Sequence, residues 1–88
     1  MKLNKIKNIY ITIDIDVLDL PYAPGTGYKI PGGLNYRLLW NFLKLFAKNF
    51  KIVGFDLVEV APSLDIGNLT SIHAARLILE FIGMIKSY

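Results

Sequence analysis

Two stretches of the chain are apolar on successive residues instead of alternating with polar ones. Residues 8–15 (NIYITIDI) and 51–60 (KIVGFDLVEV) are rich in β-branched and aromatic side chains. This pattern is typical of strands that are buried on both faces of a parallel sheet. We therefore predict strands over 8–15 and 51–60, the second ended by the Ala-Pro that follows it.

Helical periodicity marks two further segments. Apolar side chains recur at helical spacing over 34–50, with Asn35 as the predicted N-cap. The segment 69–86 is longer and more strongly apolar, and Asn68 or Thr70 is its predicted cap. The order of elements is strand, loop, helix, strand, loop, helix, which predicts parallel strands joined by a crossover connection.

The chain is too small to bury its own sheet. It has 88 residues, of which 53% are hydrophobic, and its mean hydropathy is +0.42. Two parallel strands need cover on both faces and both edges, which a chain this short cannot supply. The sequence predicts a single partial domain over 1–88, belonging to a larger α/β sheet.

Composition excludes several classes of protein. With no cysteine, disulfides and thiolate metal sites are impossible, which favours the cytoplasm as the location. No apolar run is long enough to span a membrane, and the basic N-terminus lacks the features of a signal peptide. The net charge of +3 comes partly from an N-terminal lysine cluster without interleaved exposed aromatics, so we expect no nucleic-acid partner.

Acidic side chains follow both predicted strands. Asp14 and Asp16 are two residues apart, so a continuing strand would direct both to one face at its carboxyl end, where parallel sheets bind ligands. Glu59 lies at the corresponding end of the second strand. Three such carboxylates need a cation or a cationic substrate, and oxygen ligands favour Mn²⁺ or Mg²⁺. The alternative is that they cap the next element or solvate a turn.

Other polar residues have simpler structural interpretations. The loop 16–33 contains three prolines and four glycines and is long enough to be functional. In it, Asp19 is a candidate acceptor for backbone amides. Asp56 has the opposite parity to Glu59, so we expect it to pair with an arginine or with backbone amides. His73, the only histidine, is expected to serve helix capping or packing.

Two motifs together resemble a known family. The stretch ITIDIDVLDLPYAPGTGYKIPGGL is followed by VGFDLVEVAPSLD, with Glu59 45 positions after Asp14, and then by AARLILE. The resemblance covers roughly 8–82 and is to the C-terminal part of the ureohydrolases, the arginases, agmatinases and formiminoglutamases. The second motif is most similar to the agmatinase-like branch.

The resemblance implies a fold and a chemistry. The family has a three-layer α/β/α fold with a mostly parallel sheet, forms trimers or hexamers, and uses paired Mn²⁺ ions to generate a hydroxide that attacks a guanidinium carbon. By motif, Asp14 corresponds to the carboxylate that bridges both metals, and Asp16 to a second ligand of one of them. Glu59 corresponds to the carboxylate that holds the substrate guanidinium, a pairing that suits its planar fork.

Three departures separate the chain from that family pattern. The family Asp-Pro is Asp19-Leu20-Pro21 here, and Tyr28 replaces a threonine that many members carry beside the substrate region. The GGDHS-like and DAHxD-like motifs that supply the remaining ligands are absent. Two of about six family ligands are therefore present, too few for a closed two-metal site.

Three hypotheses follow. In the first, the chain is the C-terminal portion of a Mn²⁺-dependent ureohydrolase acting on a linear guanidino compound, inactive alone and completed by a second chain that supplies the N-terminal half. In the second, it is a non-catalytic truncated paralogue or remnant that folds by self-association. In the third, it is a weak metal-binding module with its site across a subunit interface.

Overall fold

The structure, a computed structural model, describes residues 5–27 and 31–88. It is a small α/β unit, as predicted. Within the described residues, neither helix is long and apolar enough to cross a membrane. The elements are strand β1 (Asn8–Asp14), helix α1 (Tyr36–Asn49), strand β2 (Lys51–Val58) and helix α2 (Leu69–Ser87), with single 3-10 turns at Ile15–Val17 and Pro62–Leu64.

The two strands pair in parallel, which confirms the predicted topology. The register runs from Asn8 opposite Lys51 to Asp14 opposite Val58, with an irregularity after Ile9. The irregularity brings Gly54 beside Tyr10. A Cβ atom at Gly54 would approach the Tyr10 ring to 2.9 Å, so glycine allows the aromatic ring to lie across the neighbouring strand.

Both helices pack over one face of this sheet. Helix α1 buries the stripe Leu39, Leu43 and Ala47, which are four residues apart and therefore on one side of the helix. Helix α2 contributes Leu77 and Phe81, both fully buried. The core also contains Ile13 and Ile15, and the sheet side chains packed against it are Ile11, Ile52, Phe55 and Leu57.

The other sheet face is open, unlike the prediction of strands buried on both faces. Tyr10 on β1 is 60% exposed, and Thr12 and Asp14 on the same face are exposed as well. Within the described residues no element covers them. The apolar character of the strands therefore exceeds what this chain buries, as expected for part of a larger sheet.

Asn35 caps α1 as predicted. Its side chain accepts a hydrogen bond from the Leu38 amide at 2.8 Å, the geometry of an N-cap.

Asn68 is the N-cap residue of α2, one of the two predicted, but its side chain does not act as a cap. The Asp65 carboxylate accepts from the amides of Thr70 at 3.0 Å and Ser71 at 3.1 Å instead. The 3-10 turn before Asp65 allows this carboxylate to reach the helix from outside the usual cap position.

A cluster of polar and aromatic side chains joins the helices. Glu80 of α2 accepts hydrogen bonds from the Tyr36 hydroxyl, the Trp40 indole and the Arg76 guanidinium. Burial raises the pKa of Glu80, but these three donors outweigh it and leave the pKa below its ordinary value. Tyr36 and Trp40 of α1 therefore contact α2 through Glu80, and the guanidinium of Arg37 lies 4.7 Å from the centroid of the Trp40 ring.

Candidate functional site

The strand β1 ends at Asp14, two residues before the second aspartate. A 3-10 turn over Ile15–Val17 follows, and the Asp14 side chain accepts from the Asp16 amide at 3.1 Å. The turn, and not the alternation of side chains along a strand, therefore sets the direction of the Asp16 side chain. This differs from the predicted strand over 8–15. The turn keeps the two carboxylates adjacent at the carboxyl end of β1.

Two other carboxylates, those of Asp14 and Glu59, influence the pKa of Asp16. Burial raises its pKa most, and the carboxyl of Asp14 raises it further through side-chain hydrogen bonding and through its charge. The charge of Glu59 raises it as well. Like charges favour the protonated acid, so negative charge on Asp14 and on Glu59 disfavours the ionised form of Asp16.

Glu59 follows the last residue of β2 in an unusual backbone conformation. Its φ is 74°, in the left-handed region that side chains with a Cβ atom rarely adopt. The strand therefore ends at Val58. The prediction that Glu59 and Asp56 face opposite sides of the sheet assumed a strand through Glu59, so it does not apply. An exposed glutamate is held in strained backbone at the edge of the sheet where the two aspartates lie.

The long loop after β1 closes on itself. Leu18 and Leu34 form an isolated bridge, the Leu34 amide donates to the Val17 carbonyl at 2.9 Å, and the Asp19 amide donates to the Leu34 carbonyl at 2.7 Å. Gly33 lies so close that a Cβ atom would approach the Val17 carbonyl oxygen to 2.7 Å. Only glycine fits there, and the loop returns to its own start.

Asp19 organises this loop. Its Oδ1 accepts from the Leu20 amide at 2.9 Å and from the Gly32 amide at 2.8 Å. Hydrogen bonds from Gly32 and Leu20 lower its pKa. This confirms the prediction that Asp19 binds backbone amides, and it leaves the other two aspartates as the candidate ligands on this side.

The middle of the loop is held against the elements that follow β2. The Gly25 amide donates to the Thr70 hydroxyl at 2.6 Å, and the Gly25 carbonyl accepts from the Ala61 amide at 2.7 Å. A Cβ atom at Gly25 would overlap the Asp65 carboxyl, 2.6 Å away. The loop is therefore fixed two residues beyond Glu59. Tyr28, the predicted departure beside the substrate region, lies outside the described residues.

The sequence analysis did not predict a buried hydroxyl at Thr26, and it considered Thr70 only as a helix cap. Both are buried, and Thr70 accepts the bond from Gly25. The Thr26 hydroxyl is 2% exposed and has no hydrogen-bond partner within the part of the chain that the structure describes. A threonine in a glycine-rich loop carries no sequence signal that separates a buried hydroxyl from an exposed one.

Asp56 and His73 have structural roles. Asp56 accepts from the hydroxyls of Tyr10, at 3.0 Å, and Thr12 on the neighbouring strand, so the expected arginine or amide partner was wrong. His73 confirms the packing interpretation. Its Nδ1 lies 2.6 Å from the Tyr22 carbonyl, and its ring lies between those of Tyr22 and Tyr36.

Within residues 5–27 and 31–88, no group of three or more acidic, histidine or cysteine side chains has the geometry to hold a metal ion. The carboxylates of Asp14 and Asp16 are hard oxygen donors that suit Mn²⁺, but the described chain does not complete a coordination shell with them.

Comparison with known proteins identifies the family. The family model described as "Arginase family" matches residues 1–83. The chain belongs to the arginase family, and both the resemblance and the fold class predicted from the motifs are confirmed.

Relatives with different named activities match the chain. It is 45% identical over 76 residues to an agmatinase from Pyrococcus horikoshii, covering 86% of this chain and 26% of the relative. The solved structure of proclavaminate amidinohydrolase from Streptomyces clavuligerus superposes with a TM-score of 0.84 and 40% identity, covering 91% of this chain and 26% of that one.

Formimidoylglutamase from Bacillus subtilis gives a TM-score of 0.85 and 37% identity, over 94% of this chain and 26% of the other. The chain therefore spans about a quarter of the length of the relatives it matches.

Proposed function

We propose that this chain supplies one side of a Mn²⁺-dependent ureohydrolase site, which hydrolyses a linear guanidino or amidino compound. The observation that carries the proposal is the position of Asp14, Asp16 and Glu59, which lie at or just after the carboxyl ends of two adjacent parallel strands. Parallel sheets bind their ligands at this edge. A complete site needs further ligands besides those of the described residues.

Asp14 and Asp16 are the proposed metal ligands. One turn of chain links these two residues, and the Asp16 amide donates to the Asp14 side chain. A cation bound between them would relieve the repulsion of negative charges around Asp16. When bound, Mn²⁺ supplies Lewis-acid activation of water at neutral pH. The other role proposed for this chain is to bind and orient the substrate.

Glu59 is the proposed substrate carboxylate. A guanidinium group presents parallel N–H donors that match the two oxygens of a carboxylate. The left-handed backbone at Glu59 costs free energy, and its side chain is exposed at the same edge as the aspartates, free to accept from a ligand. The names of the relatives, an agmatinase, a formimidoylglutamase and a proclavaminate amidinohydrolase, support an amidine or guanidine substrate.

Paramagnetic broadening by Mn²⁺ tests the metal half of the proposal on the chain alone. Titration with MnCl₂ is expected to broaden the amide resonances of residues 14–17 in the NMR spectrum, because weak binding is sufficient for this effect. Asp14→Asn should abolish the broadening. Asp56→Asn, the same change on the same sheet, should leave it intact. Equal broadening in all three proteins would disprove a site at Asp14.

Catalysis is tested in a complemented enzyme. The chain is combined with Pyrococcus horikoshii agmatinase lacking the 76-residue segment that aligns with it, and urea release from agmatine is measured with Mn²⁺. Activity should fall at least 100-fold in Glu59→Gln, by the loss of a charged hydrogen-bonding partner worth several kcal/mol. Glu80→Gln, a matched change at the helix interface, should retain activity.

The non-catalytic remnant is the second candidate, and one observation favours it. No group of three metal-binding side chains exists among the described residues. The two candidates differ in the complemented enzyme, where a remnant would form no active site. A folded complex that binds Mn²⁺ yet releases no urea would favour the remnant.

A further inference from the structure

A cleft opens at the amino end of the sheet, at the opposite end of the strands from Asp14. It has a volume of about 500 Å³ and lies where α1 ends, β2 begins and α2 ends. The apolar part of its lining comes from Ala47, Phe50, Ile52 and Ile85. Clefts of this volume are in the range that holds a small organic molecule.

The polar part of the lining is basic. It contains Lys48 and Lys51 together with Asn49 and Tyr88, and among the described residues no acidic side chain lines the cleft. The segments that meet there, 44–52 and 82–88, contain four lysines and no acidic residue. Positive charge is therefore concentrated around a partly apolar cavity, which attracts anions.

The topology explains why lysines collect at this end. Paired parallel strands begin side by side, and a helix that follows a strand in such a sheet runs back towards the strand starts. Both helices therefore end near the start of β2, and each has a lysine in its last turn, Lys48 in α1 and Lys86 in α2. A cation suits the carboxyl end of a helix, so the basic end follows from the fold.

Contacts fix the walls of the cleft. The ammonium group of Lys48 lies 5.7 Å from the centroid of the Tyr88 ring, a cation–π contact that joins the ends of the two helices. The Lys51 amide donates to the Lys7 carbonyl at 2.8 Å, which fixes the first residue of β2 beside the chain that leads into β1. Both lysines of the lining therefore belong to regular elements and not to a loop.

The helix carbonyls at this end would oppose an anion, but two of them in α1 are occupied. The Asn49 side chain donates to the Leu45 carbonyl at 2.7 Å, and the Phe50 amide donates to the Phe46 carbonyl at 2.9 Å. These donors reduce the partial negative charge that the end of α1 presents. The ammonium groups are then the dominant charges at the cleft.

We propose that this cleft binds a small organic anion, a carboxylate with an apolar chain or ring. The carboxylate pairs with Lys48 and Lys51 through charge-assisted hydrogen bonds, and the apolar body packs on Ile52 and Ile85 and removes them from water. An inorganic anion would leave the apolar wall exposed, and a neutral hydrocarbon would leave the lysines unpaired. The inference is independent of the proposed function, because the two sites lie at opposite ends of the strands.

The test compares octanoate with octanamide, which has the same chain and no charge. Each is titrated into the chain while the backbone amide resonances are followed by NMR. Octanoate is expected to shift the amides of 47–52 and 85–88 and to bind roughly tenfold more tightly than octanamide, the effect of one charged hydrogen bond. Equal affinities for the two compounds would overturn the proposal, as would the absence of shifts or shifts centred elsewhere in the chain.

Two lysine variants locate the charge that recognises the carboxylate. Lys51→Gln should weaken octanoate binding by about fivefold to tenfold and leave octanamide unaffected. Lys44→Gln is the matched control, because it removes the same charge from a lysine that lies over the Trp40 ring, 5.1 Å from its centroid, and outside the cleft lining. It should leave octanoate binding unchanged. Equal weakening in both variants would show attraction by net charge alone and would overturn the site.

Discussion

Glu59 and Asn68 are the two non-glycine residues with positive φ among those described, at 74° and 59°. Asparagine tolerates the left-handed region at little cost, whereas glutamate does so at a cost of about 1–2 kcal/mol. The strained residue that lacks this tolerance is the one predicted to hold the substrate. Strain of this kind is found where function overrides stability.

Replacing Glu59 by glycine should therefore stabilise the fold while destroying the site. We expect Glu59→Gly to raise the free energy of unfolding by about 0.5–1 kcal/mol, since glycine adopts positive φ without a Cβ clash. The complemented enzyme should lose urea release. Urea denaturation followed by circular dichroism measures the stability change.

Asn68→Gly is the matched control, with an expected gain smaller than that of Glu59→Gly. If Glu59→Gly were instead destabilising, the side chain of Glu59 would have to contribute more to the fold than its backbone costs.

At the scale of elements, the start of α2 depends on one carboxylate. Asp65 binds the amides of Thr70 and Ser71 and also contacts the loop at Gly25. Partial burial raises its pKa and is the largest single influence, but the hydrogen bonds from Thr70, Ser71 and Ile66 together outweigh burial and lower the pKa to about 2. One side chain therefore couples the helix to the loop beside the site.

The Asp65 carboxylate should make the stability of the fold depend on pH. Its pKa is lowered by folding, so its contribution is complete above its ordinary pKa of 3.8 and is lost as the pH falls from about 4 towards 2. Glu80 acts in the same direction, and Asp16, whose pKa is raised, in the opposite one. In thermal unfolding at pH 2 to 6, the midpoint should fall less steeply with acid in Asp65→Asn than in the wild type. An equal dependence of the midpoint on pH in both proteins would exclude Asp65 as a source of acid sensitivity.

Local signals predicted some elements well and others poorly. Asn35 was found because an N-cap acts three residues away within one turn. The Asp65 cap was missed because the chain folds through a 3-10 turn before the carboxylate reaches the helix. The end of β2 was placed two residues late because nothing about glutamate signals positive φ. The sequence could place the acidic residues at the same edge of the sheet because the carboxyl ends of paired parallel strands lie side by side.

At the scale of the whole molecule, one face of the sheet is uncovered within the described residues. The face with Tyr10 is open, and a groove between β1 and α1 exposes Phe42 and Phe46. The chain spans about a quarter of the length of each relative, and the relatives therefore hold further protein beside the matched unit. Only the distribution of burial in the structure could locate the exposed apolar surfaces.

The isolated chain should therefore self-associate and be inactive. Apolar surface of this extent favours association in water, and light scattering should give a mass above 9.9 kDa that decreases when the truncated agmatinase is added. Agmatine and arginine should yield no urea with Mn²⁺ and the chain alone. Urea release that disappears in Asp14→Asn would show that copies of this chain complete the site themselves.

Trp40 gives the molecule a built-in optical reporter. It is the only tryptophan, and its indole donates across the helix interface to Glu80. Its fluorescence should therefore report the separation of α1 from α2, while circular dichroism reports the loss of the helices themselves. If both signals change at the same denaturant concentration, this small unit unfolds cooperatively despite its open sheet face. If fluorescence changes first, the helices separate before they melt, and the contact between Trp40 and Glu80 is weaker than the helices that it joins.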